Sequence, residues 1–483
     1  MNKTIRRASV FTLLLVLALL VRATWVQFYE GQALADSKDN RRNAIEQYAY
    51  PLGNIIVAGD AITGSAQTKG GDLKYKRTYT DGSLYSAVTG YSSQVFGATQ
   101  LEGIYRDLLD GTDNRLKNPL DTVTGKRADP GDVVTTIDPA VQKAAYEALG
   151  DKKGAAVAID PKTGKILGVV STPSYDPSVI SAGDSDAWTK LTKDPEKPMT
   201  NRALRQPLPP GSTFKLVVAA AALEDGLYAS VDTKTDSENP YTLPGTTRVL
   251  ANESKSAPCE NATIRVALQY SCNNVFAKMA VDLGQDKVKA MAEKFGFNDK
   301  SQDVPVRAYE SVYPSDMEKS STALTGIGQF DVTATPLQMA MVSATIANGG
   351  KLVSPHMVSQ ISDADGNVLE NYDDSTDSKE IVSSSTAEQL QSAMQTVVEE
   401  GTGTNAQISG ATVGGKTGTA QHGENNSKTP YAWFTSYAKD DSSGKEVAVA
   451  VLVEQSDAAR SEVSGNGLAA PVAKAMMRAA LQN

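Results

Sequence analysis

The sequence predicts an α+β fold, and three observations carry that expectation. From Gly154, GAAVAID and KILGVVS are two apolar runs joined by a Pro-Lys-Thr-Gly turn, the mark of a β-hairpin. Further on come alanine-rich stretches with the composition of helices, VVAAAALEDG and TPLQMAMVSATIANGG. The late runs AWFTSYA and EVAVAVLVE read as strands again. Strands at both ends with helices between imply one sheet that joins distant parts of the chain.

A chain of 483 residues exceeds one ordinary core, and length over about 150 suggests two or three domains. We divide it into a tail over 1–7, a membrane anchor over 8–29, an N-terminal pedestal over 30–152 and a main domain over 153–483. Lys3, Arg6 and Arg7 precede an uncharged run from Ala8 to Val21, and the apolar stretch resumes after Arg22. Ala8 to Tyr29 is long enough, at about 1.5 Å per residue, to cross roughly 30 Å of hydrocarbon. Arg22 is expected to snorkel toward the outer headgroups, with Trp25 and Tyr29 in the interface. The alternative is a signal peptide cut at Ala33-Leu34-Ala35, about 12 residues past the apolar run and farther than such sites lie. Positive charge on the short side keeps that end in the cytoplasm and exports the rest.

The net charge of -9 excludes nucleic acid as a natural partner, since neutralising phosphates needs a basic surface. Two cysteines in an exported chain suit one disulfide, Cys259 to Cys272, with two buried thiols as the alternative. With two histidines and no Cys or His cluster at ligand spacing, no metal site is expected. His422 stands in the polar loop QHGENNSKTP and reads as solvated rather than catalytic.

Residues 30 to about 150 are mixed and polar, with the strand-like GNIIVAGDAITG, aromatic-rich turns in TYTDGSLYSAVTGYSS, and a charged linker, LKNPLDTVTGKRADPGD. TIDPAVQKAAYEALG then predicts a helix with Asp138 as N-cap, Pro139 at its first position and an exit at Gly150.

Chemistry enters at PPGSTFK. Ser-x-x-Lys occurs from Ser212, Ser436 and Ser442. Pro209, Pro210 and Gly211 stop any preceding element, and TFKLVVAAAALEDG is helix-forming, so Ser212 falls at a helix N-terminus. There Lys215 shares its face, and free backbone N–H groups favour developing negative charge. Ser436 lies in an alternating strand, where position i+3 faces the other way, and Ser442 lies in a turn. A lysine acts as a base only when desolvated or near another cation, so a second lysine is expected close by. Of two Lys-Thr-Gly matches, Lys162 is in a hairpin turn, whereas Lys416 is in ATVGGKTGTAQH. Gly414, Gly415 and Gly418 would leave that strand open for an extended peptide to add as a strand. Of three Ser-x-Asn matches, Ser237 and Ser464 read as turns, and Ser271 sits at a break between helices, able to project with Asn273 into a cleft.

In this order, Ser212 to Lys215, Ser271 to Asn273 and Lys416 to Gly418, the chain resembles the penicillin-binding serine acyltransferases, and among them the class B enzymes. GAAVAIDPKTGKILGVVSTPSYDP, GIGQFDVTATPLQMAMVSATIANGG and AWFTSYA match as well. The resemblance implies a β-lactamase-like transpeptidase domain, an antiparallel sheet with a helical subdomain, on a smaller pedestal behind one transmembrane helix. It departs at PLGNII, where Leu52 replaces the arginine of an Arg-Gly-x-Ile motif, so no pedestal ion pair is expected from that position. Cys272 stands where many relatives have Asp, and a bridge to Cys259 would brace the Ser271 loop.

The activity implied is D,D-transpeptidation of peptidoglycan stem peptides ending in D-Ala-D-Ala, without a cofactor and with β-lactams as covalent inhibitors. Ser212 would be the nucleophile and neutral Lys215 its base, Ser271 the proton relay, Lys416 a tuner of its neighbours, and Asn273 a holder of the donor amide. Thr417, Gly418 and Thr419 would bind substrate, with the Ser212 and Thr419 backbone N–H groups as oxyanion hole. A glycan polymerase partner is also implied, since no glycosyltransferase module precedes Gly154. Two other readings stay open: a carboxypeptidase or β-lactamase that hydrolyses the acyl-enzyme, and a catalytically silent scaffold of wall assembly.

Overall fold

A computed structural model of the chain describes residues 3–31, 42, 45, 47–70, 72–117, 127–372, 377–423 and 426–482. The alternative cleavage site at 33–35 and the middle of the charged linker, 118–126, lie outside these residues. The N-terminal helix spans Lys3–Trp25 and continues as a π turn over Val26–Glu30. This run has 28 residues, its most apolar stretch has a mean hydropathy of 2.1 with none of that stretch buried in the protein, and at 1.5 Å per residue the run is about 42 Å long. The helix starts before the apolar run, so Lys3, Arg6 and Arg7 form its first turns. Arg22 pairs with Glu30 at 2.7 Å and Trp25 stacks on Tyr29, which turns the polar groups toward the far end of the helix.

In the pedestal, strand Asp132–Thr135 runs parallel to Ile55–Val57 and antiparallel to Val358–Ser362. Hence one sheet contains strands from both ends of the chain. Leu52 is buried, and an ion pair forms without an arginine there. Arg77 comes from strand Tyr75–Tyr79, and its Nε donates to Glu102 at 2.6 Å while its guanidinium also reaches the Gly53 carbonyl. Both side chains are excluded from solvent.

The main sheet is assembled from elements that we number along the chain. Helix α1 (Pro139–Leu149) begins as expected, with the Asp138 carboxylate accepting from the Ala140 and Val141 amides. Strands β1 (Lys153–Ile159) and β2 (Ile166–Thr172) form the hairpin, whose turn is held by Asp160. Helices α2 (Lys215–Glu224), α3 (Ile264–Gln269), α4 (Asn273–Leu283), α5 (Pro336–Ala347) and α6 (Ser384–Glu399) follow. Strands β3 (Ala411–Ala420), β4 (Tyr431–Asp440) and β5 (Glu446–Gln455) then lead into helix α7 (Ala470–Gln482).

The order β3-β4-β5-β1-β2 is antiparallel throughout, and β3 is an edge. Helices α1 and α7 cover one face through Val141, Leu149, Val472 and Met476. Helix α5 lies on the other face, buried almost all round between the sheet and the helical part, which accounts for its small and apolar residues.

Candidate active site

The PPGSTFK stretch folds as a 3₁₀ turn, Gly211–Phe214, before α2 begins at Lys215. Ser212 therefore sits within the turn and caps nothing. The local hydrogen bond goes from the Thr213 hydroxyl to the Pro210 carbonyl at 2.8 Å. Among the described residues the Ser212 hydroxyl has no hydrogen-bond partner, and the residue is 6% exposed.

Two close backbone approaches grip this turn. The Gly211 amide donates to the Gly328 carbonyl, and a Cβ on Gly328 would lie 2.0 Å from the Gly211 oxygen. On the other side a Cβ on Gly418 would meet the Pro210 oxygen at 2.8 Å. Beneath, Phe214 packs edge-on to Phe297 and stacks on Tyr313.

Lys215 is fully buried, and its Nζ lies 2.8 Å from the Ser271 carbonyl oxygen, 3.2 Å from Ser271 Oγ and 2.8 Å from Asn273 Oδ1. The first two motifs are thus in direct contact. Ser271 ends α3 in a Schellman turn, with its amide bonded to the Leu268 oxygen and that of Cys272 to the Ala267 oxygen. That motif puts its exit residue in the left-handed region, where glycine is usual, yet Ser271 occupies it at φ 58°. A strained serine whose oxygens both contact a buried lysine is a mark of function.

The next turn is tied down from outside. Cys272 is bridged to Cys259, and the Asn273 amide donates to Asn252 Oδ1 at 2.6 Å. Asn273 Nδ2 donates to the Ala251 carbonyl at 2.9 Å, and Asn274 reaches the Cys259 carbonyl.

Lys416, in β3, is also fully buried, and its Nζ donates to the Thr417 carbonyl at 3.0 Å. Burial disfavours the ammonium and pulls its pKa down to about 7, while the charge of Glu253 opposes the fall. Lys215 is held well below the ordinary lysine value, first by burial and then by the Lys416 charge, again against Glu253. The second cation that a basic Lys215 requires is therefore the lysine of the third motif. Alternation puts Lys416 and Gly418 on one face of β3, with Gly418 against Pro210 and Thr213, and the Thr417 and Thr419 side chains on the other. Thr417 engages the Thr402 hydroxyl at 2.8 Å, and Thr419 is partly exposed.

Two expectations need correction. Gly414 and Gly415 do not hold space for a ligand: a Cβ there would strike the Tyr437 ring at 2.3 Å and the Phe434 ring at 2.5 Å, so neighbouring aromatic rings fill the room. The open feature is the unpaired outer edge of β3 among the described strands. His422 is not simply solvated, for it stacks on Tyr431 with ring centroids 3.9 Å apart, and Nε2 contacts the Thr429 carbonyl. The discarded motif matches are occupied elsewhere: Ser436 Oγ lies on the Val449 carbonyl, Ser442 on Asp440 and Lys162 beside Glu446. Gly328 and Asn252 were not singled out from the sequence. GIGQFD and the asparagine after Ala251 carry no local signal of the contacts they make across the fold.

A buried serine one helical turn before a buried lysine of depressed basicity, with a second such lysine on an open strand edge packed against the same turn, is the equipment of a serine acyltransferase. The chain belongs to the penicillin-binding protein transpeptidase family: the penicillin binding protein transpeptidase domain matches residues 154–478, and the penicillin binding protein A dimerisation domain matches residues 52–133. It is 36% identical to the peptidoglycan D,D-transpeptidase PbpA of Mycolicibacterium smegmatis, over 100% of this chain and 99% of that one. To the PbpA of Mycobacterium tuberculosis it is 35% identical over the same shares. The solved ceftriaxone acyl-enzyme of penicillin-binding protein A from M. tuberculosis superposes with a TM-score of 0.82 at 34% identity, covering 91% of this chain and 100% of that one. The imipenem acyl-enzyme of the same protein gives 0.80 at 35% identity, covering 90% and 100%.

Proposed function

We propose that this chain is a peptidoglycan D,D-transpeptidase that cross-links stem peptides through an acyl-enzyme on Ser212, with release of D-alanine and inhibition by β-lactams. The observation that carries the reading is the contact of Lys215 Nζ with Ser271 and Asn273, close enough to Lys416 for the two amines to feel each other's charge. Neutral Lys215 takes the Ser212 proton as Oγ attacks the penultimate D-alanine carbonyl, and Ser271 hands a proton to the leaving amine. The Ser212 and Thr419 amides hold the oxyanion, a term worth about 3 to 4 kcal/mol per donor. Asn273 orients the donor amide, Gly418 admits the peptide to the edge of β3, and Thr417 and Thr419 receive the terminal carboxylate.

The basic end of the N-terminal helix stays in the cytoplasm, the helix anchors the chain, and the pedestal over 30–152 lifts the 153–483 domain toward its substrate and a glycan polymerase. Labelling with fluorescent penicillin, followed by mass mapping, tests the assignment. The adduct is expected on the peptide holding Ser212 and is absent from S212A. An adduct on another residue overturns it, and rapid release of hydrolysed penicillin replaces it with a hydrolase.

A further inference from the structure

A transpeptidase has a second substrate, a primary amine that arrives in water as an ammonium ion. The cleft of this chain holds two lysines that repel such an ion whenever they are protonated. One carboxylate acts against both of them. Glu253 is exposed, and among the described residues it has neither an ion pair nor a hydrogen bond, yet its charge is felt at Lys215 and at Lys416.

Its position is set by its neighbours in the chain. The Ala251 carbonyl accepts from Asn273 Nδ2, and Asn252 Oδ1 accepts from the amides of Asn273 and Asn274. Asn252 Nδ2 donates in return to Asn274 Oδ1 at 3.0 Å. Residues 251 and 252 are therefore fastened to the first turn of α4, which also carries the Asn273 contact to Lys215, and the next side chain is a free carboxylate. A surface glutamate on an unconstrained loop would sample many positions; this one follows a clamp of four hydrogen bonds, two to Asn273 and two to Asn274.

Resting on the transpeptidase reading, we propose that Glu253 is the acceptor-binding residue, whose carboxylate receives the primary ammonium of the second stem peptide on the Ser271–Asn273 side of the cleft. The ammonium first loses one proton to water. The amine nitrogen then forms the new amide bond to the acyl carbon as the ester bond to Ser212 Oγ breaks, and the second amine proton passes through Lys215 to Oγ. Glu253 takes no proton in this sequence. It raises the local concentration of the cation and offsets the charge of the lysines.

The test uses the full-length chain in detergent, an N-acylated D-Ala-D-Ala peptide as donor, and two nucleophiles, cationic cadaverine and hydroxylamine, which is largely uncharged at neutral pH. In E253Q the cadaverine concentration for half-maximal transfer is expected to rise about fivefold, the size of one exposed ion pair. That for hydroxylamine stays within twofold, and E253D recovers most of the cadaverine effect. Because the carboxylate supports protonation of both lysines, the acid limb of penicillin acylation also moves to lower pH in E253Q. Equal cadaverine curves for E253Q and the unaltered chain overturn the proposal, as does an equal loss for both nucleophiles. Failure of the unaltered chain to be acylated by penicillin removes the transpeptidase reading itself, which keeps the two failures apart.

Discussion

The Nζ of Lys215 lies 2.8 Å from the main-chain carbonyl of Ser271, a residue 56 positions further along and in the left-handed conformation. The backbone strain at Ser271 and the position of the Lys215 amine are thus parts of one arrangement. Turning the peptide into the left-handed region aims both the carbonyl and the hydroxyl at the amine.

Replacing Ser271 by glycine separates these parts. Glycine adopts φ 58° without the penalty of about 1 kcal/mol that a side chain incurs there. The carbonyl contact to Lys215 survives, and only the hydroxyl is lost. S271G is expected to melt at the same temperature as the unaltered chain or higher. Its acylation by penicillin should fall by about 100-fold or more, the usual range for a missing proton-transfer group. Stopped-flow acylation and calorimetry on one preparation check both, and a parallel fall in the two would mean that Ser271 is structural.

The buried lysines fix how acylation depends on pH. Lys215, the base in the proposed mechanism, must be neutral, and its protonation is disfavoured by burial and by the nearby Lys416 charge. Acylation should therefore rise with pH and level off well below the pH at which a solvated lysine loses its proton. Removing Lys416 as K416M deletes one cause of the depressed Lys215 basicity, so the acid limb moves to higher pH. A limb that stays in place, or moves down, would dissociate Lys416 from the tuning of Lys215.

The same burial has a cost in stability. Lys416 titrates near 7 in the folded chain against 10.5 when solvated, so between those values the unfolded chain binds more protons than the folded one. Stability from this group rises with pH across that window, and the penalty is fully present below it. Urea unfolding of the solubilised chain should gain about 2 kcal/mol more between pH 7 and 9 than that of K416M, in which only Lys215 still contributes. An identical slope in both would place the amine in water.

Much of this site was legible in the sequence because each motif is local. Pro209 to Lys215 declares a stop followed by a helix, Asp138-Pro139 declares a helix start, and the alternation in AWFTSYA rules out Ser436. Contacts made across the fold leave no such trace. Gly328 reads as an ordinary turn glycine until the Gly211 oxygen lies against it, and Gly414 and Gly415 look like open strand until Tyr437 and Phe434 occupy the space. The pedestal shows the same limit. Leu52 suggested a missing charge, but the cation comes from Arg77 and its partner Glu102 lies 25 residues beyond.

That pair allows a test of the pedestal alone. Arg77 and Glu102 are both buried, and one guanidinium nitrogen already lacks a partner among the described residues. E102Q leaves the cation with no carboxylate in a medium where an unpaired charge costs about 3–5 kcal/mol. The variant should unfold at markedly lower urea, whereas R77M/E102L, which removes both charges, should recover most of the loss. A double variant no better than E102Q would assign the effect to packing around the pair.

Gly328 allows the positioning of Ser212, the proposed nucleophile, to be tested without touching any group proposed to react. A methyl group there would lie 2.0 Å from the Gly211 oxygen, so the loop or the Ser212 turn must move, and φ 66° adds strain. Gly349 is a matched control: its φ is 62°, and nothing lies within 4 Å of its added Cβ. G349A carries the strain without the collision. Both variants should lose about 1 to 3 kcal/mol of stability. Only G328A should also slow acylation, by about 100-fold for a displacement near 1 Å. The comparison is made on the acylation rate constant at saturating penicillin, where binding no longer contributes. If the two variants slow acylation equally, strain rather than the grip of Gly328 on Gly211 governs the nucleophile.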